Sequence, residues 1–156
     1  MIYSASITTD ANTAKVDAVV TDIIVTKGLL WLVEVEFPSG CCGLAHIQIF
    51  DGSYQLFPAS PGDSLHSEGA VLSYDDIYFK TAAPFVFSVK TWNLDDTWNH
   101  TLQIRLGIAS SDAAMSRYLP AMAWEKFAEY LAKAQADQER LRAEQAQILL
   151  QQLNSE

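Results

Sequence analysis

Cysteine is scarce and poorly placed for cross-linking. The chain has two, Cys41 and Cys42, adjacent in sequence, and neighbouring cysteines close a disulfide only through a strained ring. A secreted, disulfide-built scaffold is therefore excluded. Basic side chains are also in short supply, with 10 Lys and Arg against 19 Asp and Glu and a formal net charge of -9. Most of the acidic excess precedes Pro120. Such a surface repels phosphate backbones and anionic headgroups, so DNA, RNA and membrane surfaces rank low as partners. No apolar run approaches the length of a bilayer span, and the start, Met1-Ile2-Tyr3-Ser4-Ala5, has neither the basic nor the apolar region of a secretory signal. Synthesis in a cytoplasm without a signal peptide is the expectation, compatible with later release by lysis.

Catalytic and metal-binding signatures are equally sparse. His46, His66 and His100 never fall at close metal-ligand spacing, and there is no Cys-x-x-Cys, Gly-x-Ser-x-Gly or glycine-rich phosphate loop. A zinc site gathered from distant strands with Cys41 or Cys42 stays open, but burial as small apolar side chains is the ordinary fate of such cysteines. No cofactor is expected, and the chain reads as a non-enzyme. Asn99-His100-Thr101 matches the glycosylation sequon, to which no role is assigned in a chain without a secretory signal.

What is present divides at Pro120, after which no Gly or Pro occurs. With 156 residues and 49% hydrophobic content, the chain suits one domain with a real core plus an appendage. Before the break lie short apolar segments with strand-like alternation. Val16 to Val25 and Leu29 to Phe37 flank Lys27-Gly28 and read as a hairpin. In the second of these, Trp31, Val33, Val35 and Phe37 take the core parity, while Glu34 and Glu36 form an outward acidic stripe. Leu44 to Phe50 ends at an Asp51-Gly52 turn, and Tyr54 to Phe57 follows. Pro58 to Ser64 is an exposed loop and the first candidate for a contact loop. Ala70 to Tyr74, Ile77 to Phe79, Phe85 to Trp92 and Thr101 to Ile108 complete the set. Inward stripes run through Phe85, Phe87 and Val89 and through Leu102, Ile104, Leu106 and Ile108. About eight such strands with no intervening helices predict a mainly β fold, an antiparallel β-sandwich over residues 1–110, with the jelly roll as the preferred version.

Residues 111–156 form a helical assembly or docking segment in this reading. Ser110-Ser111-Asp112 caps a short helix through Tyr118, and a long C-terminal α-helix starts at Pro120, rich in Ala, Leu, Glu, Gln, Lys and Arg. Phe127, Ala134, Leu141 and Ile148 recur every seven residues, but the companion seam of Tyr130, Asp137, Glu144 and Gln151 is mostly polar, a weak coiled-coil pattern. The residues expected to carry assembly are Trp124, Phe127, Leu131, Leu141 and Ile148.

The densest cluster of chemistry-bearing side chains is Trp92 to His100. Aromatic faces pack on sugar C–H surfaces and carboxylates accept from hydroxyls, which makes Trp92, Asp95, Asp96, Trp98 and His100 a candidate glycan site. The preferred alternative is a turn between two core strands, with Asn93, Asp95 and Asp96 bonded to local backbone and the tryptophans filling the end of the sandwich. Asp75-Asp76 and Asp95-Asp96 read as solvated turn carboxylates, because neither has calcium-loop spacing.

Residues 37–50 (Phe-Pro-Ser-Gly-Cys-Cys-Gly-Leu-Ala-His-Ile-Gln-Ile-Phe), 55–58 (Gln-Leu-Phe-Pro) and 90–96 (Lys-Thr-Trp-Asn-Leu-Asp-Asp), with His100-Thr101, resemble the small β-sandwich virion proteins of phages and related viruses. The resemblance spans roughly residues 29 to 108 and is one of architecture. It implies assembly as the function: capsid decoration, or part of a neck or tail, with terminal helices joining copies to one another and to other virion proteins. A cell-surface glycan is a possible further partner.

Overall fold

The computed structural model describes residues 1–110, 113, 126–133 and 135–136. The chain divides into two compact units, Met1–Ser111 and Asp112–Glu156. The first unit is mainly β, with nine strands: β1 (Ile2–Thr9), β2 (Val19–Ile24), β3 (Gly28–Glu36), β4 (Ala45–Asp51), β5 (Tyr54–Phe57), β6 (Leu65–His66), β7 (Val71–Lys80), β8 (Val86–Asn93) and β9 (His100–Ala109). They form two antiparallel sheets, ordered β1-β9-β3-β7 and β2-β8-β4-β5, with β6 added to β4.

Alternation explains how the sheets share one core. Ile7, Val33, Val35, Leu102, Ile104, Leu106 and Ile108 from the first sheet meet Ile23, Ile47, Ile49, Leu56, Phe87 and Val89 from the second in a single buried cluster. Each fully buried side chain of this size contributes about 1.5–3 kcal/mol of transfer free energy. The opposite parity faces out: Arg105 bonds Glu36 at 2.9 Å and lies 4.0 Å from Glu34, so the acidic stripe carries its own counter-charge.

Three sequence expectations change. Val16 to Val25 and Leu29 to Phe37 are not paired as a hairpin. β2 pairs with β8, while β3 lies in the other sheet between β7 and β9. Lys27-Gly28 is therefore a step between sheets. Gly28 opens β3, where a Cβ would run into the Ala109 carbonyl oxygen; close backbone approach, and not a turn, requires glycine there. Trp31 also leaves the core parity, because a bulge between Leu30 and Leu32 gives β3 one extra residue against β9. Leu30 and Val33 both point inward, and Trp31 packs across Gly107, where a Cβ would sit 2.8 Å from its ring. Finally, Ala70 to Tyr74 and Ile77 to Phe79 run together as the single strand β7. Residues 2–9, not singled out from sequence, supply the edge strand β1.

The Asp51-Gly52 turn is present, with Gly52 at φ 60° between paired β4 and β5. In the second unit, residues 126–133 are helical (α1), with Phe127, Ala128 and Leu131 half-buried along one face and Tyr130 exposed. Residues 113 and 135–136 are helical as well; the remainder of the long helix expected from Pro120 and of the short helix expected through Tyr118, with Trp124, Leu141 and Ile148, lies outside the described residues. No helix among the described residues is long and apolar enough to cross a membrane.

Candidate functional site

The loop between β8 and β9 is built by short polar side chains closing on their own backbone. Asn93 Oδ1 accepts from the Asp95 amide at 3.0 Å, and Asp95 Oδ1 accepts from the amides of Thr97 at 2.8 Å and Trp98 at 3.0 Å. These are the two-residue reaches that make Asx turns from Asn and Asp. The buried Asn93 also donates to the Trp98 carbonyl at 2.8 Å, and Asp95 Oδ2 lies 2.9 Å from His100 Nε2. Four further bonds tie the loop to residues 10–12, one of them from Asn12 Nδ2 to the Asp96 carbonyl at 3.0 Å. Asn12 N reaches the Asp95 carbonyl at 2.7 Å, Asn99 Oδ1 accepts from Ala11 N at 2.9 Å, and Asn99 Nδ2 donates to Asp10 at 2.9 Å.

The result is a pinned loop with a bare aromatic at its tip. Trp98 is 67% exposed and its neighbour Leu94 50%. Of the five residues expected to bind a ligand, the structure turns only Trp98 and Asp96 to solvent. Asp95 and His100 are buried and spent on the loop itself. Trp92 is buried too, but outside the core: its ring stacks on His46, with centroids 5.1 Å apart and planes 3° from parallel, and Lys15 Nζ sits 5.2 Å above it. The backbone-bonded turn expected from Asn93 and Asp95 is therefore present, whereas neither tryptophan fills the end of the core.

The hydrogen bonds from the Trp98 and Thr97 amides, and then from His100, hold the Asp95 carboxyl below the usual aspartate range. A group depressed in the folded state stabilises above its unfolded value and loses that contribution as pH falls through the folded one. Amide exchange should therefore show Thr97 and Trp98 still protected at the ordinary aspartate pKa of about 4. Protection should be lost on further acidification, and at every pH in Asp95→Ala. Loss of protection already above that pH in the native chain would contradict the assignment.

A second polar arrangement, invisible in the sequence, covers the outer face of the β2-β8-β4-β5 sheet. Residues 58–66 fold back across it, and residues 59–63 are exposed as the sequence reading expects. Gln55 Nε2 donates to the carbonyls of Pro58 at 2.7 Å and Ser60 at 3.0 Å, Gln48 Nε2 donates to the Asp63 carbonyl, and Lys15 Nζ donates to the Gly62 carbonyl at 2.6 Å. His46 Nδ1 lies 3.1 Å from the Ser64 hydroxyl. Burial, with His66 and Lys15 adding to it, holds His46 below the usual histidine range. Nearby, Glu68 accepts from the backbone amides of Gly40 at 2.7 Å and of Cys42, shaping the loop that carries buried Cys41 and exposed Cys42. No group of three or more His, Cys, Asp or Glu is placed to hold a metal ion among the described residues.

Comparison of the chain with protein-family models, with curated proteins and with solved structures finds no match in any of the three.

Proposed function

We propose that the chain is a non-catalytic structural protein of a virus particle, with a jelly-roll β-sandwich as its body and a helical segment from residue 111 onward that joins copies to one another and to neighbouring virion proteins. The observation that supports this most is the nesting of the strand pairs. β1 pairs with β9, β2 with β8, β3 with β7 and β4 with β5, which is one long antiparallel ribbon folded back on itself. Rolling that ribbon brings β9 against β3 and β8 against β4, and a rolled ribbon of eight strands in two sheets is the jelly-roll plan shared by viral capsid domains. The two-residue β6 is an addition to it. Fold alone leaves function open; the apolar seven-residue spacing of Phe127, Leu141 and Ile148 directs the reading toward assembly. Synthesis in a cytoplasm and residence in the particle follow from it. Leu141→Asp with Ile148→Asp should lower the solution mass of the native assembly, and an unchanged mass would count against helix-mediated association.

One observation favours a second reading, a glycan-binding module. A tryptophan exposed at the tip of a loop pinned by buried hydrogen bonds is a preformed stacking surface, and the exposed carboxylate of Asp96 lies two residues away. Trp98→Ala should leave the fold intact and weaken binding of any responsive glycan about tenfold or more, read by intrinsic fluorescence. Undiminished binding by Trp98→Ala removes this reading.

A further inference from the structure

We propose that His46 and His66 form a two-imidazole chelate for a divalent transition-metal ion of the Ni2+, Cu2+ and Zn2+ class, clipping residues 58–66 to the outer face of the sheet. The two histidines are direct cross-strand partners, because β6 pairs with β4 through His46↔His66 and Ile47↔Leu65. Their ring centroids are 5.0 Å apart with planes tilted by 57°. An imidazole nitrogen binds such an ion at about 2.0–2.1 Å, which puts each ring centre about 3.2 Å from it; two centres 5.0 Å apart then subtend roughly 100–105° at the ion, close to the tetrahedral angle. The spacing is that of two rings meeting at one cation.

The surroundings hold the first ring in place. His46 Nδ1 faces the Ser64 hydroxyl at 3.1 Å, and Nδ1–H donating there is the tautomer that leaves Nε2 with its lone pair, as second-shell partners do for metal-bound histidines. Trp92 stacks flat against the same ring. The segment bearing Ser64 and His66 is fixed by Gln48, Gln55 and Lys15, so little order has to be gained on binding. His66 itself is exposed, which gives the ion a way in. The Lys15 ammonium opposes the ion's charge, and with two protein ligands the remaining positions belong to water; both set a modest affinity. Imidazole pairs favour late first-row metals over calcium or magnesium. The chelate joins a two-residue strand to the sheet, so its effect is to raise the cost of opening residues 58–66.

Titration of the full chain with NiCl2, followed by tryptophan fluorescence and by amide exchange, tests this. The expected result is saturable one-site quenching, through Trp92 stacked on His46, with slower exchange of residues 58–66 and a higher Tm. His66→Ala, which alters an exposed side chain, should leave the metal-free Tm nearly unchanged while weakening Ni2+ binding at least tenfold; Cys42→Ser should leave the response in place. No saturable response, or one that survives His66→Ala, overturns the proposal.

Discussion

Asp51→Ala is expected to lower the unfolding free energy of the β unit by about 3–5 kcal/mol in urea denaturation at neutral pH. Lys80 ends β7 with its side chain 3% exposed, and Asp51, at the end of β4, bonds its ammonium directly. The second Asp51 oxygen accepts from the Tyr78 hydroxyl at 2.7 Å. One carboxylate thus bridges two groups of the opposite sheet at the margin of the core. Burial, reinforced by Asp51, pushes the Tyr78 hydroxyl well above the usual tyrosine range, which keeps it a donor. Deleting the carboxylate leaves a buried ammonium without a counter-ion and removes the acceptor of a half-buried hydroxyl; the first cost falls mainly on the folded state. Replacing both ions, as in Asp51→Leu with Lys80→Met, should cost less than the sum of the single changes, because no charge is then stranded. A loss below about 1 kcal/mol for Asp51→Ala, the value of a surface pair, would show that Lys80 reaches water.

Phe87→Ala should cost a similar amount, about 3–5 kcal/mol. Phe87 is fully buried on β8, one of the two inner strands of its sheet. Its ring lies 6.3 Å from that of Tyr78 and 5.5 Å from Lys80 Nζ. Truncation therefore opens a cavity between the sheets and also removes the aromatic face over which the buried ammonium sits. Phe87→Leu keeps most of the volume and should lose much less. Because Phe87, Lys80 and Asp51 share partners, Phe87→Ala with Asp51→Ala is expected to deviate from additivity by more than about 0.5 kcal/mol. Strict additivity would mean that the ion pair and the ring do not touch the same site.

The stripes of β3, β4, β8 and β9 were legible in the sequence because alternation is a local signal: Val33, Val35, Ile47, Ile49, Leu102 and Ile104 point where their parity says. What alternation cannot carry is the choice of partner strand. Lys27-Gly28 looks like a turn until Ala109 is brought against Gly28, and Trp31 keeps core parity until the bulge against β9 removes it. The candidate loop shows the same division. Asn93 and Asp95 were readable as turn-formers through their short reach to local amides, but which tryptophan stays wet depends on His46 and Lys15 covering Trp92 from distant parts of the chain. Lys80 and the His46–His66 pair gave no local sign, since each acquires its meaning from a residue about 20 or more positions away.

Whether the C-terminal segment assembles this protein is tested most directly by the solution mass of the full chain beside that of a chain ending at Ser111, the boundary of the β unit. Among the described residues the core cluster lies entirely within that unit, so the shortened chain should fold. A defined oligomer for the full chain that becomes a folded monomer on truncation is the expected result. Folded monomers in both cases, or the same oligomer in both, would contradict assembly through residues 112–156.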